Sequence, residues 1–318
     1  MELQQFVPIT RRMWRPKTIR ILLVLLVCSV RGWTQSEDLV GSITSALRAN
    51  NFEQARKLIQ SALQQYPKNA QLWTLQGIAF SGEGRSKEAL VSFQRALSIS
   101  PDYLPALEGA AQIDYAAGSK EAIPLLSHLL QLRPNDPTGH AMLAVLEYQQ
   151  GNCTAATSHF EKAGAVLESQ IDALHAYATC LIKLRRLADA VNVFEHIVTL
   201  KPDDARERHL LASIQLMAHK PHDATATLRP LLETNNPDVD TLELAATAYE
   251  NAGDTPTAVA TLRRAILLQP QNVNLYLDFA NVSFSHQSFQ VGIEVLTDGI
   301  GLQPRAAPLY LARGVLYD

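Results

Sequence analysis

The segment Ser86–Pro101 reads SKEALVSFQRALSISP, and its apolar positions recur with the period of an α-helix. Ala89, Phe93 and Ala96 are separated by four and three residues, so they lie on one face of such a helix. Pro101 cannot continue the helix, because its ring removes a backbone donor. The pattern predicts a helix with a small, large, small apolar face that ends before Pro101.

The same spacing returns along the chain at intervals of about 34 residues, which is typical of stacked helical repeats. Later and earlier copies of the small, large, small face are Ala55, Ile59 and Ala62; Ala122, Leu126 and Leu129; Ala156, Phe160 and Ala163; and Ala258, Leu262 and Ala265. In a unit that begins at Ala70, the first half contributes Trp73, Gly77 and Phe80 at positions 4, 8 and 11. The pattern therefore predicts a first helix and a second helix in each unit.

These positions resemble the tetratricopeptide repeat. The resemblance implies an all-α fold, a right-handed superhelical solenoid of antiparallel helix pairs with about eight repeats and a partial ninth. The units are predicted at 36–69, 70–102, 103–136, 137–170, 171–204, 205–238, 239–272 and 273–306, with 307–318 as the first helix of a truncated ninth. Unit three is expected to lack one residue near its first helix, and unit four has Glu168 where a stop proline is expected.

Glycine and proline mark turns and weak points in this scheme. Gly84, Gly118, Gly151 and Gly253 are expected in the turns between paired helices. Pro124 and Pro230 fall inside predicted second helices, where a proline costs about 3 kcal/mol. Gly292 and Gly299 stand where Ala is expected and cost up to about 1 kcal/mol each relative to Ala. Units six and eight are therefore expected to be the softer parts.

The N-terminus does not follow the repeat. Several basic residues precede the short apolar run Ile21–Val30. Ten apolar residues are too few to span a bilayer, and this order of charge and apolarity is typical of a secretory signal. We expect 1–35 to be a signal peptide or an N-terminal membrane anchor, and the protein to be exported. The compartment would be periplasmic or extracellular, with 19–30 as a possible tether.

Composition and motifs argue against chemistry. The net charge of −3 gives no basic footprint for nucleic acid. Glu195 and His196 lack the second histidine of a zinc-protease motif, and the turn 219–222 (HKPH) is expected to hold solvated histidines. The glycines of 82–87 (GEGRSK) lack the phosphate-loop spacing. We expect no cofactor, no metal and no enzyme activity.

Two cysteines lie in the repeat region, Cys153 in unit four and Cys180 in unit five. Stacking of adjacent units places both near the same end of neighbouring helices, so an exported protein could join them in a disulfide. The interpretation that we prefer is that both cysteines are small apolar packing residues.

In proteins similar to this one, the first helices line a concave groove, and their positions 2, 5, 9, 12 and 13 face a bound partner. By that resemblance the partner-binding residues are Tyr115, Val145, Tyr148, His175, Thr179, Ile182, Lys183, Arg206, His209 and Leu216. This surface is apolar and aromatic with a few basic groups. It suits an extended or helical peptide with apolar anchors and an acidic residue.

The function predicted is a non-catalytic scaffold of the bacterial envelope that binds a protein or peptide partner in the groove. The alternative is the accessory repeat portion of a longer enzyme, or of a polysaccharide or pilus export component, whose other domain lies beyond residue 318. The apolar last helix, 307–318, has no second helix in this sequence and favours a fragment.

Overall fold

The computed structural model describes residues 34–234 and 236–318, with side chains from Leu39 onward. The segment predicted as signal or anchor, 1–35, lies outside the described residues except for its last two, which begin the first helix. Within the described part the chain forms seventeen α-helices, one 3₁₀ turn and no β-strand. The predicted all-α array of antiparallel helix pairs is confirmed.

The helices follow one another in pairs. The first four pairs are α1 Thr34–Arg48 and α2 Phe52–Gln65, α3 Ala70–Gly82 and α4 Ser86–Ile99, α5 Leu104–Ala116 and α6 Ala122–Leu132, and α7 Pro137–Gln149 and α8 Cys153–Ala163. The next four are α9 Ile171–Lys183 and α10 Leu187–Leu200, α11 Ala205–Met217 and α12 Pro221–Leu232, α13 Val239–Asn251 and α14 Thr255–Leu268, and α15 Val273–Ser285 and α16 Phe289–Leu302. Helix α17, Ala307–Tyr317, follows the last pair.

The chain divides into two compact parts, an N-terminal part that ends at Cys180 and a C-terminal part, Leu181–Asp318, with the boundary inside α9. In the N-terminal part, each of α1 to α7 packs on the next helix along the chain. In the C-terminal part, each of α10 to α16 does the same. Each part therefore builds its core from neighbouring helices, which is the arrangement that gives repeat arrays their stability.

Every turn between paired helices contains one residue with positive φ. These residues are Asn50, Gly84, Gly118, Gly151, Arg185, His219, Gly253 and Gln287. They recur every 34 residues, except for 33 between Gly118 and Gly151. The expected turn glycines are confirmed, and four turns use other residues in a conformation that favours glycine.

The expected position of the missing residue in unit three is wrong. Buried Ala89 follows Gly84 by five residues, whereas the equivalent Ala122 follows Gly118 by four. The deletion thus lies in the turn after Gly118, and α6 begins late, at Ala122. Pro124 is consequently in the first turn of α6, where a backbone N–H has no partner within the helix, so its expected cost is also wrong.

Pro230 lies inside α12, as predicted. The expectation that the glycines of unit eight cost stability relative to Ala is wrong, because packing requires a residue without a side chain at both positions. A Cβ atom at Gly292 would lie 2.6 Å from Leu316 Cδ1, and one at Gly299 would lie 2.8 Å from Tyr276 Cδ1. Ala at either position would force its neighbours apart, and this outweighs its better helix propensity.

Candidate functional site

The predicted partner-binding residues of the N-terminal part differ in how deeply they are buried. Val145 on α7 and Thr179 on α9 are buried, with 3% and 8% of their surface exposed. Thr179 donates a hydrogen bond from Oγ1 to the His175 carbonyl at 2.7 Å. Tyr148 and His175 are partly exposed. The first helices α7 and α9 thus carry two partly exposed and two buried members of the predicted set.

Tyr115 and Val145 come together around a small cavity of about 10 Å³. Its lining also includes Ala141, Met142, Leu167, Gln170 and Ala173. Burial raises the pKa of Tyr115 to about 12. The sequence reasoning found Tyr115 and Val145 but missed Leu167. The one available warning was Glu168, which replaces the stop proline of unit four and indicates an irregular connection.

That connection is unusual in its conformation. Helix α8 ends at Ala163, Gly164 has a φ of +52°, and Gly164–Leu167 forms a 3₁₀ turn. Helix α9 then begins at Ile171. Since turn residues Gly151 and Arg185 keep the 34-residue period, α8 has lost its last turn to this segment.

Cys153 and Cys180 form a disulfide, with 4.9 Å between their Cα atoms. The interpretation that we preferred from the sequence, two packing residues, is therefore wrong. Stacking of α8 on α9 brings the cysteines within bonding reach, and the rings of Phe160 and Tyr177 meet at 5.3 Å between the same two helices. The disulfide fixes the first residue of α8 to α9.

A histidine pair joins α7 to α8. His140 is buried, and its Nδ1 lies 2.8 Å from Nδ1 of His159. Nε2 of His140 lies 2.9 Å from the Pro134 carbonyl, which can only accept, so Nε2 donates and Nδ1 accepts from His159. Burial, then the proximity of His140 and Lys162, lowers the pKa of His159.

In the C-terminal part the predicted residues again differ in how deeply they are buried. Lys183 and Arg206 are exposed, whereas Ile182 and His209 are partly buried. Nε2 of His209 on α11 lies 2.7 Å from Oγ1 of Thr241 on α13. Leu216 packs against the buried core of α11, α12 and α13. Two of these five residues are therefore already engaged, His209 in a hydrogen bond between first helices and Leu216 in core packing.

Acidic side chains accompany the first helices α13 and α15. Burial, followed by the nearby charges of Asp278 and Asp240, raises the pKa of Glu243. Burial also raises the pKa of Asp278. Glu250 is differently placed, since His286 Nε2 lies 2.6 Å from its Oε1. Burial thus favours the neutral forms of Glu243 and Asp278, and Glu250 is paired with an imidazole.

The described residues contain no group of three or more His, Cys, Asp or Glu side chains that could hold a metal ion. Of the two histidines expected in the turn 219–222, His219 lies there with a φ of +57°, whereas His222 lies in the first turn of α12. None of the described helices combines the length and the apolarity that crossing a bilayer requires.

Comparison with known families decides the assignment. Three family models, each described as Tetratricopeptide repeat, match residues 42–103, 147–214 and 240–272. The matched segments together make up just over half of the chain. The chain belongs to the tetratricopeptide repeat family. Tetratricopeptide repeat proteins typically bind other proteins.

Two characterised relatives contain similar repeats. Superkiller protein 3 of Schizosaccharomyces pombe is 30% identical over 126 residues, which are 39% of this chain and 9% of that protein. Mitochondrial import receptor subunit TOM70 of Rattus norvegicus is 20% identical over 151 residues, 46% of this chain and 25% of that protein. The tetratricopeptide repeats here thus match a minor part of each relative.

Two solved structures align with much of the chain. The structure titled Naa15/Naa10 bound to HypK-THB aligns with a TM-score of 0.56 at 15% identity, over 87% of this chain and 43% of that chain. A tetratricopeptide repeat protein from Parabacteroides merdae ATCC 43184 aligns over 78% of this chain and 98% of its own, at 19% identity and a TM-score of 0.45. The first of these supports a helical repeat array.

Proposed function

We propose that this tetratricopeptide repeat protein is a non-catalytic scaffold whose first helices bind a peptide or a protein partner. The observation that carries the proposal is the exposure of side chains on α7 and α9. Tyr148 and His175 are partly exposed there, whereas Val145 and Thr179 are buried. Accessible aromatic and imidazole side chains on first helices suit an extended or helical peptide with apolar anchors.

The proposed compartment is outside the cytoplasm, in a bacterial envelope. Disulfides persist in oxidising compartments and are rare in the cytosol, so the Cys153–Cys180 bond supports export. The basic and apolar pattern before Val30 supports it independently. The partner would then be another envelope protein.

A crosslinking experiment in cells tests the binding face. A photoreactive amino acid at Tyr148 should capture a partner, because that side chain is accessible on the first helix. The same amino acid at Ser158, which is exposed on second helix α8, is the matched control. Equal capture at both positions, or capture at Ser158 alone, would overturn the assignment of the first-helix surface.

Fractionation of the same cells tests the compartment. The expected result is full-length chain in the envelope or the medium, with Cys153 and Cys180 protected from alkylation until a reductant is added. Free thiols on a chain that stays in the cytosol, with partners found only there, would contradict the export proposal.

A second candidate is that these repeats are the accessory part of a longer enzyme or export component. Helix α17 favours it. Tyr276 and Tyr310 are equivalent, and each donates a hydrogen bond to a proline carbonyl six residues earlier. Tyr276 is 2% exposed, because Gly299 of the second helix α16 lies against its ring, whereas Tyr310 is 42% exposed. A Cβ atom built on Gly314 of α17 would have nothing within 4 Å. A stop codon directly after Asp318 would argue against this candidate.

A further inference from the structure

Leu167 lines a small apolar cavity on the first helices of the N-terminal part. The other lining residues, which we name the anchor pocket, are Tyr115 of α5, Ala141, Met142 and Val145 of α7, Gln170 just before α9, and Ala173 of α9. Leu167 is 5% exposed, and a volume of only about 10 Å³ remains beside it. The pocket therefore has the size and the apolar lining for one aliphatic side chain.

Leu167 belongs to the segment 164–170 between α8 and α9, which we name the strap. All seven strap residues are described, and Leu167 is the one buried side chain among them. Neighbouring Ala165, Glu168 and Ser169 are exposed. The strap replaces the last helical turn of α8, so its backbone runs outside the regular helix pair. A single apolar contact is thus its main buried attachment to the pocket.

The disulfide makes movement of the strap compatible with an intact array. Cys153 begins α8 and Cys180 lies in the last turn of α9, so the covalent bond joins the two helices that the strap connects. Phe160 and Tyr177 pack between the same helices. Withdrawal of Leu167 would therefore leave α8 attached to α9.

We propose that the anchor pocket is a binding site for one aliphatic side chain of a partner peptide, and that Leu167 occupies it in the free protein. The inference rests on the proposed function and specifies its ligand: an extended peptide with a leucine that follows apolar residues and precedes polar ones. The strap itself, with the sequence GAVLESQ, has this pattern. A partner would bind by displacing Leu167, so the free protein is partly self-inhibited.

The test uses the full chain with its disulfide intact and a capped synthetic peptide of sequence GAVLESQ. Leu167→Ala should bind this probe at least tenfold more tightly than the wild type, since the competing side chain is gone. The same peptide with Asn in place of Leu should not bind. Adding Ala141→Leu to Leu167→Ala should abolish binding, because the larger side chain fills the pocket. Equal affinities across these variants would overturn the proposal.

A second measurement separates an anchor from an ordinary core residue. In the chain with ring-labelled tyrosine, Leu167→Ala should bring the pKa of Tyr115 down from about 12, and the probe should restore it. Leu72→Ala removes an equally buried leucine on α3 and should do neither. In wild-type chain, millimolar probe should accelerate amide exchange of residues 165–169. No acceleration, and a Tyr115 pKa unaffected by the probe, would show that Leu167 is only structural.

The outcomes distinguish the two proposals. Photocrosslinking at Tyr148 without binding of the probe to Leu167→Ala would retain the scaffold function and eliminate the anchor pocket. Probe binding that competes with a partner captured at Tyr148 would support both.

Discussion

A Cβ atom added to Gly299 of α16 would lie 2.8 Å from Cδ1 of Tyr276 on α15. Real Cβ atoms do not approach other carbons so closely, so the helix can lie against the ring only because residue 299 has no side chain. The Tyr276 hydroxyl donates to the Pro270 carbonyl at 2.9 Å, which fixes the ring in this position. The glycine is therefore part of the packing of the pair.

We expect Gly299→Ala to lower the free energy of unfolding by about 1–3 kcal/mol, the usual cost of overpacking. The control is Gly301→Ala in the same helix, because nothing lies within 4 Å of a Cβ there. That variant should gain up to about 1 kcal/mol from helix propensity. Urea unfolding followed by circular dichroism measures both. Stabilisation by both substitutions would show that the ring moves aside without cost.

The repeat, its paired helices and its turn glycines could be predicted from the sequence because they depend on local spacing. Gly299 could not be interpreted in the same way, since the requirement for glycine comes from Tyr276, 23 residues earlier. The deletion was expected near the first helix of unit three, whereas the short spacing between Gly118 and buried Ala122 places it in the turn after Gly118.

The candidate site was predictable to a similar degree. Tyr115 and Val145 were found because position within a repeat determines which way a side chain points. The packing of Leu167 beside them was not, because in a regular repeat the equivalent residue, such as Ser100 or Lys201, directly follows the second helix. The loss of the last turn of α8 depends on Gly164 and on the absence of a stop proline, and neither indicates where the released segment packs.

The turn residue Arg185 adopts a φ of +62°, which costs a residue with a Cβ about 1 kcal/mol relative to glycine. Arg185→Gly should therefore raise the free energy of unfolding by up to about 1 kcal/mol. Arg264→Gly, on the exposed face of α14, is the control and should lower it by about 1 kcal/mol. Urea unfolding of the two variants and the wild type in one buffer measures both changes. Losses of the same size in both would contradict the assigned turn conformation.

The disulfide between Cys153 and Cys180 closes a loop of the chain, and loops of this length are stabilised by about 3 kcal/mol. A reductant should therefore lower the urea midpoint of the wild type. The double variant Cys153→Ala with Cys180→Ala should unfold near the reduced wild type and should not respond to the reductant. Mass spectrometry after alkylation, with and without reduction, gives the number of free thiols directly. A midpoint that is unchanged by reduction in a fully alkylated wild type would show that the bond adds no stability.

Acid should weaken the contact between α7 and α8 through the histidine pair. Nδ1 of His140 and Nδ1 of His159 are 2.8 Å apart and share one proton, so protonation of both rings would set two N–H groups against each other. The pKa of His159 is lowered in the folded chain, chiefly by burial, so the unfolded chain takes up its proton first as the pH falls. Stability is consequently complete above the ordinary histidine value of about 6.5 and decreases as the pH falls through the folded pKa. Glu147 opposes the shift and Lys162 reinforces it, and both face this ring.

Replacing His159 with Phe should flatten the dependence of unfolding on pH between about 5 and 7, because it leaves a single ionisable ring at the contact. The matched control is His222→Phe on α12, which is exposed and should keep the wild-type profile. Urea midpoints at half-unit steps of pH, together with amide exchange of α8, measure the effect where the contact lies. If the wild type and His159→Phe lose the same stability from pH 7 to pH 5, the acid sensitivity arises elsewhere in the chain and the shared proton has no part in it.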